Sequence, residues 1–191
     1  MAPLSKEQRY TYADLLEWDD DVRYELYNGI PMALACPSDI HQKISVALSA
    51  QLYNYLMGKK CNVFTAPFDV RLFEEDNDHP EDVDIVVQPD LMVVCDPNKV
   101  DRHGVHGAPD LVIEIISNSS RRLDRLTKLN LYQKAGVREY WIVDPDASVV
   151  SVYTLNDGVY RTAAAYGADS SVSVDVLDDC TIDLSTVFPE T

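Results

Sequence analysis

Glu114 is the one charged side chain in an otherwise apolar run from Leu111 to Ile116. A short continuous apolar run reads as a strand buried on both faces. Alternation along that strand puts Glu114 on the same side as Val112 and Ile116. A carboxylate in such a place loses its hydration unless it is paired, hydrogen-bonded or bound to a metal ion. Two readings follow: an acid at the strand end held by backbone or an arginine, and a ligand for a hard divalent cation. The second needs a partner, because magnesium-type ions are held by one or two carboxylates with water completing the shell. Two Pro-Asp pairs compete, Pro89-Asp90 and Pro109-Asp110. Asp110 precedes Glu114 by four residues on the same strand, roughly 13 Å away at about 3.3 Å per residue, too far to share one ion. Asp90 opens the preceding apolar strand, Leu91 to Cys95, and can lie beside Glu114 on a neighbouring strand. Asp90 and Glu114 are therefore the expected metal pair, for Mg2+ or Mn2+, and Asp110 is expected to cap the strand mouth.

The elements that must position this pair are legible along the chain. Thr11 to Trp18 reads as a short helix, with Thr11 as its cap. Val22 to Ala35 alternates around Asn28-Gly29, a hairpin signal. His41 to Met57 carries Ile44, Leu48, Leu52, Tyr55 and Leu56 at helical spacing, with Asp39 as a possible cap and Gly58 as a stop. Asn62 to Phe73 reads as one strand, Ile85 to Val87 as a strand fragment, and Asp96 to Pro109 as a loop. Arg121 to Ala135 reads as a helix ending at Gly136, followed by a strand from Glu139 to Val143. Ser148 to Leu155 and Val159 to Ala165 form a second hairpin pattern, and Val172 to Val176 a last strand. The whole reads as one α/β domain over 1–191, with a core of about 22–165, an acidic C-terminal extension over 166–191, and a central sheet covered on both faces.

Composition narrows the function classes. The chain has 191 residues, 46% of them apolar, and a net charge of −16. No apolar stretch reaches the roughly 18 residues of a membrane span, and Met1 to Tyr10 lacks a signal-peptide core, so a cytoplasmic location is expected. Cys36, Cys61, Cys95 and Cys180 form no CxxC pair and read as reduced thiols. The negative charge opposes binding of a polyanion over a broad surface. It is uneven, however. Acids cluster over Glu74 to Asp84, expected as an exposed loop, whereas Arg121 to Arg138 contains six basic residues and one Asp. His103 and His106 form an HxxH pair in a Gly-rich loop, read as a surface loop rather than a zinc site.

The run Gly107 to Ser117, continued by Asp124, Lys128, Tyr132, Gly136-Val137 and Glu139-Tyr140-Trp141, resembles the signature of the Uma-two family, domain of unknown function 820. Tyr24-Glu25-Leu26, Asn28-Gly29 and His41 extend the match to about Tyr12 to Asp146. The resemblance implies a restriction-endonuclease-like fold of the PD-(D/E)XK kind, a mixed central sheet flanked by helices, here with an extra N-terminal hairpin and C-terminal strands. One position departs from that superfamily's pattern. Ile116 stands two residues after Glu114, where a lysine is expected. A nuclease needs a cation there to orient water and balance charge on the phosphate. Lys128 is the expected substitute, reaching in from the following helix; the plain alternative is a surface i,i+4 pair with Asp124. The resemblance also implies that Glu25 and His41 face the site. Tyr132 and Trp141 read as core residues.

Two hypotheses remain open at this point. One is a metal-dependent nuclease with Mg2+ or Mn2+ on Asp90 and Glu114, and with Lys128, Glu25 and His41 in the site. In that reading Arg121, Arg122 and Arg125 hold flanking phosphates of a nucleic acid, DNA favoured over RNA, and a homodimer stays open. The other is a catalytically inactive interaction protein that keeps the fold, in line with Ile116 and the −16 charge.

Overall fold

Asn28 and Gly29 take φ of 50° and 73°, the left-handed pair that a two-residue hairpin turn requires. They join β1 (Tyr24–Tyr27) to β2 (Ile30–Ala33) as an antiparallel hairpin. The structure, a computed structural model, describes residues 8–18, 22–75, 77–116 and 123–189, with backbone alone at 123–125 and 162–163. Before the hairpin lies α1 (Tyr12–Glu17), whose start is fixed by the Asp14 carboxylate accepting from the Thr11 N–H. After it comes α2 (Asp39–Leu56), followed by β3 (Asn62–Thr65), β4 (Asp69–Arg71), β5 (Leu91–Val94), β6 (Val100–Asp101), β7 (Gly104–His106) and β8 (Leu111–Ile115). A π-helical segment, Leu123–Lys128, runs into α3 (Leu129–Ala135). The chain continues through β9 (Glu139–Asp144), β10 (Val149–Asn156), β11 (Val159–Gly167), β12 (Ser171–Ser173) and β13 (Thr181–Asp183).

Six strands form the central sheet in the order β11-β10-β9-β8-β5-β3. β8 and β9 run parallel and the other neighbours antiparallel, so the sheet is mixed. Its middle strands are buried along their whole length, as their near-continuous apolar sequence demands. On one face, Ile44, Leu48, Leu52 and Leu56 of α2 recur every fourth residue and pack on Leu91, Ile113 and Trp141. The segment after 167 closes the same face with Val172, Val174, Leu177, Ile182 and Leu184. On the other face, Met92, Val112, Ile116 and Ile142 pack against Tyr132, Val137 and Tyr140. Full burial of each large apolar side chain contributes about 1.5–3 kcal/mol, so these two layers are the main source of stability.

The structure corrects several local expectations. Asn62 to Phe73 is not one strand. A cis Ala66–Pro67 bond separates β3, at the edge of the central sheet, from β4, which pairs with β7 in a small sheet of order β4-β7-β6. The Asp96 to Pro109 stretch, read as loop, holds β6 and β7. Gly104 makes this possible: at φ 149° it lies so close to the Asp69 carbonyl that an added Cβ would stand 2.2 Å from that oxygen. The cap of α2 is Ser38, whose hydroxyl accepts from the His41 N–H, and not Asp39. The helix expected from 121 is, over Leu123–Lys128, π-wound, with i→i+5 bonding in place of the expected 3.6-residue turn. β13 pairs with β12 and has no counterpart in the sequence reading. Of the four cysteines read as reduced thiols, Cys61 and Cys95 are joined in a disulfide; they extend the β3–β5 register one step past Asn62 and Val94. Cys36 and Cys180 are free thiols.

Candidate active site

The register of β5 with β8 sets the site. Leu91 lies opposite Ile113; continuing that register one step beyond the start of β5 sets Asp90 opposite Glu114. Directly opposed residues of an antiparallel pair project from the same face, with Cβ atoms about 4.5–5.5 Å apart. Both residues line one cleft of about 1270 Å³, bounded by the sheet, one side of α2 from Ile40 to Tyr53 and the chain leaving β2. Glu25, His41 and Lys128 line the same cleft. Five residues drawn from five separate stretches of sequence thus meet in one place.

Their contacts form a connected network. The Lys128 ammonium donates to Glu114 Oε1 at 2.7 Å and to Glu25 Oε1 at 3.0 Å. All three side chains are buried: Lys128 and Glu114 are 4% exposed and Glu25 is 0% exposed. Burial alone would push the lysine pKa down, but Glu114 and Glu25 outweigh it and hold the ammonium well above its ordinary value. The Tyr132 hydroxyl donates to the same Glu114 Oε1 at 2.7 Å. Tyr27 donates to Glu25 Oε2 at 2.7 Å, and the Gln88 N–H donates to Glu25 Oε1 at 2.8 Å. Burial, reinforced by the neighbouring carboxylates, raises the pKa of both tyrosines, which keeps them neutral donors. Asp90 Oδ2 accepts from the Ile115 N–H at 2.8 Å and lies 3.0 Å from His41 Nε2.

Ile116 occupies the position of the expected strand lysine and is 2% exposed, packed in the apolar layer. The cation comes from Lys128, at the junction of the π-helical segment and α3. Tyr132 follows it by four residues, so both reach the same glutamate oxygen. Arg121 and Arg122, and the side chains of Asp124 and Arg125, lie outside the described residues. Asp110 sits at the strand mouth as expected, accepting from the Cys95 N–H and pairing with Arg138. Glu75, Asp78, Glu81, Asp82 and Asp84 are exposed and none of them lines the cleft. His106 Nε2 meets the Asn98 carbonyl and His103 meets Arg102 at the surface.

Three participants were not singled out as site residues from the sequence: Tyr27, Tyr132 and Gln88. Their signal was weak, since each is an ordinary tyrosine or amide among apolar neighbours. For Tyr132 the i+4 spacing from Lys128 was the available clue. Gln88 also carries the network outward, donating from its Nε2 to Asp69 Oδ1 at 2.8 Å.

The donors gathered about Asp90 and Glu114 are carboxylate and amide oxygens with one imidazole, His41, and oxygen donors are what a hard cation takes. Among the described residues no group of three His, Cys, Asp or Glu gathers for a metal ion. An ion shared by Asp90 and Glu114 would therefore keep much of its water, as magnesium does. Gln88 Oε1 is buried with no hydrogen-bond partner, an acceptor that a cation or its hydration shell would satisfy. The residues present fit such an ion.

The sequence pattern of the Uma2 family, described as "Putative restriction endonuclease", matches residues 12–185. An uncharacterized protein of Synechocystis sp. is 27% identical over 147 residues, covering 75% of this chain and 73% of the relative. A crystal structure from Anabaena variabilis, described as "a putative nuclease belonging to DUF820", superposes with a TM-score of 0.73 at 17% identity. It covers 93% of this chain and 97% of that one, which establishes the shared fold. No helix among the described residues is long and apolar enough to cross a membrane.

Proposed function

The chain belongs to the Uma2 family, and on that premise we propose that it is a divalent-metal-dependent nuclease that hydrolyses phosphodiester bonds in nucleic acid. The observation that carries the reading is the meeting of Asp90, Glu114 and Lys128 in one cleft, with the lysine supplied by a helix instead of the strand. Asp90 and Glu114 would hold Mg2+ or Mn2+. Such an ion supplies charge neutralisation at the phosphate and a more acidic attacking water.

The chain's own residues do the rest. Lys128 keeps its proton and presents a fixed positive charge beside Glu114, where it can orient a water and offset charge growing on the phosphate. Tyr132 and Tyr27 each occupy one oxygen of a carboxylate and so fix the rotation of Glu114 and Glu25. His41 and the Ile115 N–H fix Asp90 in the same way. The apolar side chains of Ile115 and Ile116 border the cleft and limit water near these charges. Arg121, Arg122 and Arg125 follow the Glu114 strand and are assigned to flanking phosphates.

A catalytically inactive interaction protein is the rival reading. It is favoured by Ile116 at the lysine position and by the −16 charge. Incubation of wild type, Glu114→Gln and Lys128→Met with DNA and RNA in manganese buffer separates the two. The nuclease reading expects cleavage by wild type alone; no cleavage by any of the three supports the rival.

A further inference from the structure

We propose that the cleft takes single-stranded nucleic acid, its unpaired bases lying against an apolar wall made by α2 and the end of the β1–β2 hairpin. The proposal rests on the nuclease reading and narrows its substrate class. Nine large apolar side chains stand exposed among the described residues, and four of them line this one cleft. They are Met32 at 41%, Ile40 at 42%, Val46 at 65% and Tyr53 at 61% exposure. Exposed apolar side chains scattered singly need no explanation, but a concentration beside a charged site marks a binding surface.

The geometry of α2 produces this wall. Its Ile44-Leu48-Leu52-Leu56 stripe is buried against the sheet. Gln42, Val46, Ser49 and Tyr53 recur at helical spacing on a second stripe, which borders the cleft. Ser49, between Val46 and Tyr53, is short enough to leave room above the helix. At the hairpin end of the wall stands Arg23, whose guanidinium makes no ion pair within the described residues. It suits a single phosphate.

Charge decides the form of the nucleic acid. A chain of net charge −16 gains little from tracking the closely spaced phosphates of a duplex. Affinity must then come from contacts that do not depend on charge. Stacking of bases on an aromatic ring and apolar contact with their faces supply this for single strands. In a duplex those faces are covered by neighbouring base pairs, so the wall is usable only by unpaired bases. The wall is continuous with the Asp90–Glu114–Lys128 cluster, so a strand seated on it has its backbone beside the carboxylates.

Fluorescence anisotropy tests this with a labelled single-stranded oligodeoxynucleotide, its blunt duplex and an abasic strand of the same length, in chelator and again in calcium. The single strand should bind at least about tenfold more tightly than either competitor. Tyr53→Ala should weaken single-strand binding about tenfold, and Tyr53→Phe, which keeps the ring, should restore it. Tyr53 is largely exposed, so its replacement leaves the core intact. Equal or tighter binding of duplex or abasic strand, or full affinity in Tyr53→Ala, overturns the proposal. Manganese-dependent cleavage of the same three substrates separates this inference from its premise. Cleavage that prefers the duplex overturns the single-strand proposal and leaves the nuclease reading standing. Binding that depends on Tyr53 with no cleavage of any substrate overturns the nuclease reading instead. Absence of binding and cleavage overturns both.

Discussion

Lys128 Nζ lies 2.7 Å from Glu114 Oε1, although fourteen residues separate them and they belong to different elements. The nearby strand position that a lysine would occupy holds Ile116, buried in the apolar layer. The ammonium therefore reaches the carboxylates from a π-wound turn whose widened helix sets its direction. Removing it leaves Glu25 and Glu114 buried and facing one another. Lys128→Met should lower stability by about 3–5 kcal/mol, because an unpaired buried charge costs more than the pair gained. Magnesium or manganese should recover part of that loss, to a greater extent than in wild type. Urea unfolding with and without metal measures both; an unchanged midpoint in the variant would place the ammonium elsewhere.

Tyr132→Phe deletes one donor to Glu114 and little else. The expected cost is about 1–2 kcal/mol, the usual penalty for removing one partner of a buried hydrogen bond. The same variant should lower any metal-dependent cleavage, since Glu114 Oε1 then keeps only the Lys128 donor to fix its orientation. A stability change with full cleavage would reduce the tyrosine to a packing role.

Glu139 is fully buried beneath the opposite face of the sheet, where its carboxylate accepts from Trp141 Nε1 at 2.6 Å and from the Val176 N–H at 2.9 Å. Burial raises its pKa to about 7, and the hydrogen bond from Trp141 only partly offsets this. The folded state therefore binds a proton that the unfolded state releases near the ordinary carboxylate value. By linkage this contribution is complete below the unfolded pKa and disappears as pH rises through the folded pKa. It amounts to roughly 3 kcal/mol. Urea midpoints should fall between about pH 4.5 and pH 7, and Glu139→Gln should flatten that fall. A fall of equal size in the variant would assign the pH dependence to other groups.

Gly104→Ala tests the junction between the site's outer network and the small sheet. The new Cβ would stand 2.2 Å from the Asp69 carbonyl oxygen, on the strand whose Asp69 side chain receives Gln88. A loss of roughly 1–3 kcal/mol is expected from backbone strain, more if β4 and β7 separate. A neutral substitution, measured by thermal unfolding, would mean that the two strands can part without consequence.

The candidate site is legible in the sequence through contrast. Glu114 stood out because an acid inside a buried strand is anomalous, and Asp110 was eliminated as its partner because four strand residues span too great a distance. The hairpin at Asn28-Gly29 was legible because only a few residue types tolerate two successive positive φ angles. What stayed hidden depended on partners distant in sequence. β6 and β7 carry too few residues for periodicity to register, and they exist through β4, which the sequence runs together with β3 and which the cis Ala66–Pro67 bond divides from it. The Cys61–Cys95 pairing follows from a strand register that no local pattern encodes. Tyr132 reads as core because its ring is core; only its hydroxyl belongs to the cluster around Glu114.

Calorimetric titration of manganese into wild type, Asp90→Asn and Glu114→Gln tests the central claim most directly. The account predicts a saturable heat in wild type, with affinity reduced at least about tenfold in each variant while their circular dichroism spectra stay those of the folded chain. No binding in wild type, or equal binding in all three, would contradict a metal site on Asp90 and Glu114.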